Sequence, residues 1–441
     1  MKKAIRILSF LLPVLLVGAI PVQSKVYIDI NAPAFQRFPI AITDFYDLGE
    51  SAPVGDMPIW FSDIIGSKLD MTGFFRVIDK KAFLENPEKQ AFTAADINFQ
   101  DWSVLKVDFL LKGGFIVKDQ DLTVEFRLYD VVEGRMILGR RYQGKLNDRL
   151  KMVLKFIDEM LVELTGESGV FDTKIAVVGK SGTTSEIYLI DFDDTNTVKL
   201  TNFKSLTMMP SWSPDGDYIT FTSYRDGNPD HYVLRRKPFS YRRISAFNGL
   251  NLAGPWSPDG KKMLTVLTKD GNEEIYIRDF TNNSLKRITN NPAIDVSPVW
   301  SPDGENIAFV SDRSGSPQIF VMNADGGEVR RLTYEGNYNT SPSWSPKGNR
   351  IAFEGRAGGA FQIFTINEDG SGLVQVTFEP GGCEDPTWSP NGLYIAFATR
   401  QRGEAKVCII TANGLNFRPL KGARGISSFQ GPSWSPHMGT P

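Results

Sequence analysis

Histidine and cysteine are nearly absent, with only two of each among 441 residues. That scarcity excludes most metal and nucleophile chemistry, which draws on clustered His and Cys ligands or on a histidine base. No Gly-x-Ser-x-Gly elbow and no His-Glu-x-x-His pair occurs. An excess of one charge is lacking too. Forty-nine Lys and Arg face 51 Asp and Glu, for a net charge of −2, so no basic field for nucleic acid is present. Long apolar runs are missing after the first 20 residues. The run at 7–20 has 14 residues, too short to span a bilayer. Lys2, Lys3 and Arg6 precede it and Pro21 to Ser24 follow. This pattern predicts a secretory signal peptide over 1–24, with an uncleaved anchor as the rival. Its removal leaves 46 basic and 51 acidic side chains, net −5, and no further membrane span.

What is abundant is a repeat. Pro298-Val299-Trp300-Ser301-Pro302-Asp303-Gly304 recurs with variations six times. The tryptophans are Trp212, Trp256, Trp300, Trp344, Trp388 and Trp434, spaced by 44, 44, 44, 44 and 46. A period in the low forties, with about four short strands in each, predicts propeller blades. Trp300 to Pro302 is expected as a short inner strand and Asp303-Gly304 as a tight turn. Residues 307–311 and 318–323 are then the middle strands and 329–333 the outer one. Each Trp is expected as blade core, burying roughly 150–250 Å².

The repeat starts and ends out of phase. Residues 174–178, 186–191 and 198–201 match the second, third and outer strands, with no Trp repeat before them. At the far end, 432–436 matches an inner strand with nothing after it. The two fragments complete one blade, so the ring is expected to be latched shut by joining both ends. Cys383 and Cys408 fall in the fifth repeat, two strand spacings apart. At about 4.8 Å per spacing they exceed the roughly 7 Å limit for a disulfide, so two buried thiols are expected.

Residues 25–168 have another texture. Strands are expected at 25–30, 38–42, 75–78, 107–116, 122–131 and 136–143, and helices at 57–69, 99–105 and 148–164. The last helix carries Leu150, Val153, Leu154, Ile157, Met160, Leu161 and Leu164 at the 3.6-residue period and ends at Gly166. The fold class is thus an α/β N-terminal domain (25–168) followed by an all-β six-bladed propeller (169–441).

The chemistry-bearing residues are sparse. His231 reads as a strand-edge side chain and His437 as an exposed replacement for a turn Asp. Carboxylates in Asp-Gly turns are turn formers first. Six loops at 202–209, 247–254, 290–297, 335–341, 379–385 and 423–431 precede the Trp repeats and converge on one face around the channel. A binding face is therefore expected rather than a catalytic site. The remaining enzyme reading is a hydrolase or lyase acting on glycans or lactones with a channel metal.

The leader, the α/β domain and six WSPDG-type repeats with the last unfinished resemble the TolB family of periplasmic Tol–Pal proteins. Phe74-Phe75-Arg76-Val77-Ile78-Asp79 and Trp102-Ser103-Val104-Leu105-Lys106-Val107-Asp108 carry the resemblance as well, with 124–129 and the 148–164 helix. The resemblance implies no catalysis. It implies binding of the lipoprotein Pal by the propeller and of TolA by the mature N-terminus, with roles in outer-membrane integrity and cell division. It also implies that colicins exploit the same surfaces. It places Met208, Met209, Asn251, Asp295, Ser297, Thr340, Glu384, Asp385 and Gln430 nearest Pal. The TolA segment would include Lys25, Val26, Tyr27, Ile28, Asp29, Ile30, Asn31 and Phe35. No cofactor is implied. Calcium at the acidic channel mouth is the one metal candidate, and no contiguous ligand loop supports it.

Two departures stand out. Arg235, Arg236, Lys237, Arg242 and Arg243 form a basic cluster where other repeats have an apolar strand and an Asp-Gly turn. Gly254-Pro255 also shifts the proline by one place, predicting a differently shaped approach to Trp256. The leader reading has a direct test: N-terminal sequencing of the exported protein should begin within a few residues of Lys25. A product starting near Met1 would mean an anchor.

Overall fold

The Ser-Pro-Asp-Gly turn of the first three repeats satisfies its own polar groups, and this sets the end of their inner strands. In the third repeat Ser301 Oγ accepts from Asn306 N (2.9 Å) and donates to the Asp303 carboxylate. That carboxylate also accepts from Glu305 N (2.9 Å), and Gly304 turns the chain at φ 76°. Pro302 has no N–H to offer a ladder. The tryptophan is therefore the last residue of the inner strand, which is Asp295–Trp300. The expected strand from Trp300 to Pro302 is corrected: it is the hairpin that follows.

The computed structural model describes residues 36–49, 55–85, 91–401, 403–422, 425–426 and 428–439. The leader and the expected strand at 25–30 lie outside them. Six four-stranded antiparallel sheets form the propeller. The third blade is Asp295–Trp300, Asn306–Ser311, Gln318–Asn323 and Arg330–Arg331, with the inner strand first. Five blades are contiguous in sequence. The sixth joins Ser428–Trp434 to Lys174–Ser181, Thr184–Asp191 and Thr197–Lys199. Trp434 pairs with Ile175 in register, its Nε1 donates to Thr173 Oγ1 (2.9 Å), and Ser435 exchanges two bonds with Lys174.

Five of the six repeat tryptophans are buried, but Trp256 is only half-buried. It stacks on Phe280 at 5.2 Å instead. Two of the six stitch neighbouring blades: Trp388 Nε1 donates to Ser343 O and Trp212 Nε1 to Ser433 O, both at 3.1 Å. Cys383 and Cys408 are buried free thiols. His231 is not at a strand edge. It is buried inside Asp230–Arg235, where the neighbouring blade has Ile275. Burial first, and then the Arg278 charge, push its pKa down to about 3, so the imidazole is neutral.

The N-terminal sheet is mixed. Its strands are β1 (Phe38–Ile42), β2 (Tyr46–Asp47), β3 (Phe75–Val77), β4 (Phe109–Lys118), β5 (Asp121–Asp130) and β6 (Arg135–Lys145). The order is β3-β1-β4-β5-β6, with β2 on β4 and β1 parallel to both neighbours. Helices α1 (Met57–Thr72) and α3 (Arg149–Thr165) cover one face through Phe61, Ile65 and Phe156. The short helix α2 (Phe99–Val104) brings Trp102 to the other face. The buried stripe of α3 includes Met152 and Phe156, while Leu150 is only half-buried. Val153, Ile157, Met160, Leu161 and Leu164 are buried as expected, and Met152 and Phe156 widen the stripe on the side facing the sheet, where Phe156 stacks on Phe126.

One apolar cluster runs from this domain into the fifth and sixth blades, joining Phe74, Tyr394, Phe192 and Trp434. A buried Lys68–Asp193 ion pair (2.8 Å) crosses the same junction. Gly73 caps α1 at φ 78°, and a Cβ there would come within 2.6 Å of Asn416. Removing the buried Trp434 ring should cost about 3–5 kcal/mol out of a typical 5–15 kcal/mol. Urea unfolding of Trp434→Ala, and of a chain lacking 430–441, should show large losses. An unchanged transition would rule out closure through the last strand.

Candidate binding face at the channel mouth

Each inner strand runs from the channel mouth down to its tryptophan, and each is broken by a bulge on the way. The pairing with the second strand skips between Met208 and Ser211, Val296 and Val299, Thr340 and Ser343, Glu384 and Thr387, and Gln430 and Ser433. The residue three before the tryptophan is left-handed at Met209, Ser297, Ser341, Asp385 and Gly431, with φ of 50–56°. Four of the five are not glycine, so each costs about 1 kcal/mol or more. A proline follows every one of them. In the second blade the ladder continues one residue further, to Ala253, before the bulge. This is the altered shape expected from Gly254-Pro255.

The nine positions expected on loops thus all lie on inner strands, and that expectation is corrected. The chain re-enters pairing as soon as it reaches the channel wall. Met209 is exposed, and Met208, Ser297, Thr340, Glu384, Asp385 and Gln430 are half-buried. Asn251 and Asp295 are fully buried. Asn251 closes its own loop, donating to Phe247 O (2.7 Å) and accepting from Ser245 Oγ (2.7 Å). Asp295 takes a bidentate pair from Arg313 at 2.7 and 2.9 Å. These two shape the face from beneath. Residues 25–31 and Phe35 lie outside the described residues.

Adjacent left-handed residues meet around the axis. Ser341 Oγ donates to Asp385 Oδ1 (3.4 Å), and a Cβ on Gly431 would stand 4.0 Å from Asp385 Oδ2. Glu354, which the repeat pattern did not single out, joins them from the second strand of the fourth blade. It accepts from Asp385 N (2.9 Å) and Thr340 Oγ1 (2.5 Å). Its neighbours in other blades, such as Val310 and Val266, are apolar, so a carboxylate breaking that apolar position was the available signal. Burial, then the Glu354 and Glu384 charges, push the Asp385 carboxyl up to about 7. Burial and Glu384 also raise Glu354. Glu384 is partly offset by Arg400 at 3.5 Å. Around this acidic centre the loops between blades expose Tyr334 (71%), Phe378 (74%) and Ile294 (44%). A face with strained backbone, unneutralised carboxylates and exposed aromatics suits binding of a complementary surface.

The opposite end of the ring is occupied differently. The three repeats that lack the turn Asp place Lys347, Asn391 and His437 there. Each reaches the 167–172 connection. Lys347 Nζ pairs with Glu167 (2.7 Å), Asn391 Nδ2 donates to Ser168 O (2.7 Å) and His437 Nδ1 meets Asp172 (2.9 Å). No group of three or more His, Cys, Asp or Glu among the described residues is arranged to hold a metal. No helix among them is long and apolar enough to cross a membrane.

Two family models match the chain: the TolB beta propeller domain over residues 161–438 and the TolB amino-terminal domain over 26–137. The chain is 45% identical to the Tol-Pal system protein TolB of Syntrophus aciditrophicus (strain SB) over 227 residues, 51% of this chain and 50% of that one. It is 36% identical to the protein of that name from Syntrophotalea carbinolica (strain DSM 2380 / NBRC 103641 / GraBd1), over 48% of each. These matches span about half the length of the curated relatives. The crystal structure of TolB from Acinetobacter baumannii superposes with a TM-score of 0.80 at 26% identity, covering 91% of this chain and 97% of that one.

The raised Asp385 has a signed consequence. Its folded pKa of about 7 exceeds the ordinary 3.8, so its contribution to stability is full below about pH 4 and is lost as pH rises through about 7. Asp385→Asn should flatten the fall in urea midpoint between about pH 4 and pH 7. Parallel profiles for the variant and the parent would show that this carboxyl titrates normally.

Proposed function

The chain belongs to the TolB family, and we propose that it works as a periplasmic protein–protein interaction component of the Tol–Pal system. In this reading the channel mouth binds the lipoprotein Pal and the segment 25–36 binds TolA. Through them the protein supports outer-membrane integrity and cell division. The observation that carries the reading is the ring of left-handed residues around Asp385 and Glu354. Its backbone strain persists at a surface that could have been relaxed by glycine, and its carboxyls are crowded enough to raise one another's pKa. Met209 adds an adaptable apolar contact, and the exposed Tyr334 and Phe378 add aromatic anchors of the kind that concentrate binding energy.

Binding fits the residues better than catalysis. His231 is buried and neutral, and His437 is held by Asp172 at the other end of the ring. Neither can serve as a base beside the carboxylates of the channel mouth.

The two surfaces belong to different parts of the chain and should be separable. Removing 25–36 should abolish TolA binding and leave Pal binding within about tenfold, allowing roughly 1.4 kcal/mol of coupling. Met209→Arg with Glu384→Lys should do the reverse, placing long cations against apolar area and negative charge. Calorimetry of both variants with both partners decides it, with circular dichroism to check the fold. Loss of Pal binding on removing 25–36, with retention in the double variant, would sink this assignment of partners to surfaces.

A further inference from the structure

The outer strand of the first blade differs from the other five. It spans Ser240–Ser245, six residues, whereas the outer strands of the other blades have 4, 2, 2, 2 and 3. It is the last strand of its sheet, and its first four residues are exposed. Six residues with an unpaired side offer a row of main-chain donors and acceptors long enough to template another strand.

The charge on this edge has one sign. Arg235, Lys237 and Arg242 are exposed and make no ion pair among the described residues. Arg243 is different, because Asp230 neutralises it at 2.9 Å. On the face towards the second blade, Arg278 is half-buried and likewise has no acidic partner. Burial and the Arg242 charge beside it hold the Arg278 guanidinium below its ordinary value. Arg242 stands opposite Val233 in the ladder of the first blade, and neither it nor Arg278 has an acidic partner among the described residues. Single cations on an edge strand guard against self-association, but guarding does not require a second, half-buried arginine from the adjacent blade. Tyr241 (42% exposed) and Phe239 (56% exposed) interleave the cations and add apolar contact.

We propose that this edge is a docking surface that takes an extended acidic peptide segment as a fifth strand of the first blade. Main-chain bonds along Ser240–Ser245 supply the affinity. Acidic side chains at alternate positions fall on one face of the added strand, where Arg242 and Arg278 meet them, and Arg235 and Lys237 flank its end. This surface lies on the outer rim of the first blade, away from the channel mouth.

The test uses the full chain and a fluorescent peptide of about eight residues alternating glutamate and threonine, followed by anisotropy at low salt. The peptide should bind, a lysine–threonine counterpart should not, and Arg242→Glu should weaken binding by about tenfold or more. Methylating alternate backbone nitrogens of the peptide should abolish binding to the unaltered protein, a readout that does not depend on how any variant folds. Equal binding of the methylated peptide would mean charge attraction without strand addition and would overturn the proposal. So would absence of peptide binding, whether or not phosphatidylglycerol vesicles bind through Arg242.

Discussion

The pairing of Ser428–Trp434 with Lys174–Ser181 is the contact on which the rest depends. It joins the two ends of the propeller, so the ring has no open seam. It also fixes the connection between the domains, because Thr173 bonds Trp434 and Asp172 bonds His437 and Met438. That connection in turn receives Lys347 and Asn391 through Glu167 and Ser168. Gly169 passes so close to α3 that a Cβ there would strike the Asp158 carboxylate at 1.7 Å. Closure of the ring and docking of the N-terminal domain are one event in packing, and a single apolar cluster crosses both.

That arrangement divides the propeller into two ends with opposite roles. Where the inner strands finish, the self-satisfied Ser-Pro-Asp-Gly turns are cheap to form and, in three repeats, are altered to hold the N-terminal domain. Between that domain and the turns of the first and sixth blades a cleft of about 930 Å³ remains, lined by Lys155, Asp158, Asp172 and Arg236 among others. Where the inner strands begin, left-handed residues and unneutralised carboxylates accumulate instead. Strain is concentrated at the end that stays free, where a rigid β scaffold can hold it and a partner can exploit it.

The blade count, the composite sixth blade and the buried thiols were legible because each follows from local periodicity. A 44-residue repeat with one Trp and one Asp-Gly turn leaves little freedom in topology. The helix α3 was legible as a helix and in most of its buried face, Val153, Ile157, Met160, Leu161 and Leu164, but not in Met152 and Phe156. His437 was visible as a replacement for a turn Asp, but the common destination that it shares with Lys347 and Asn391 was not.

By itself the sequence determined the architecture, because hydrophobic spacing and turn chemistry act over a few residues and repeat six times. Only the tertiary structure decided which expected contact residues are available to a partner. Asn251 and Asp295 look like loop residues in the chain and prove to be buried struts, whereas Glu354 looks like an ordinary strand residue and stands at the centre of the acidic mouth. The reason is physical. A bulge of one residue reverses which side chain faces the channel, and the charge state of a carboxyl depends on neighbours brought in from other blades. The second of these is not encoded in any single repeat.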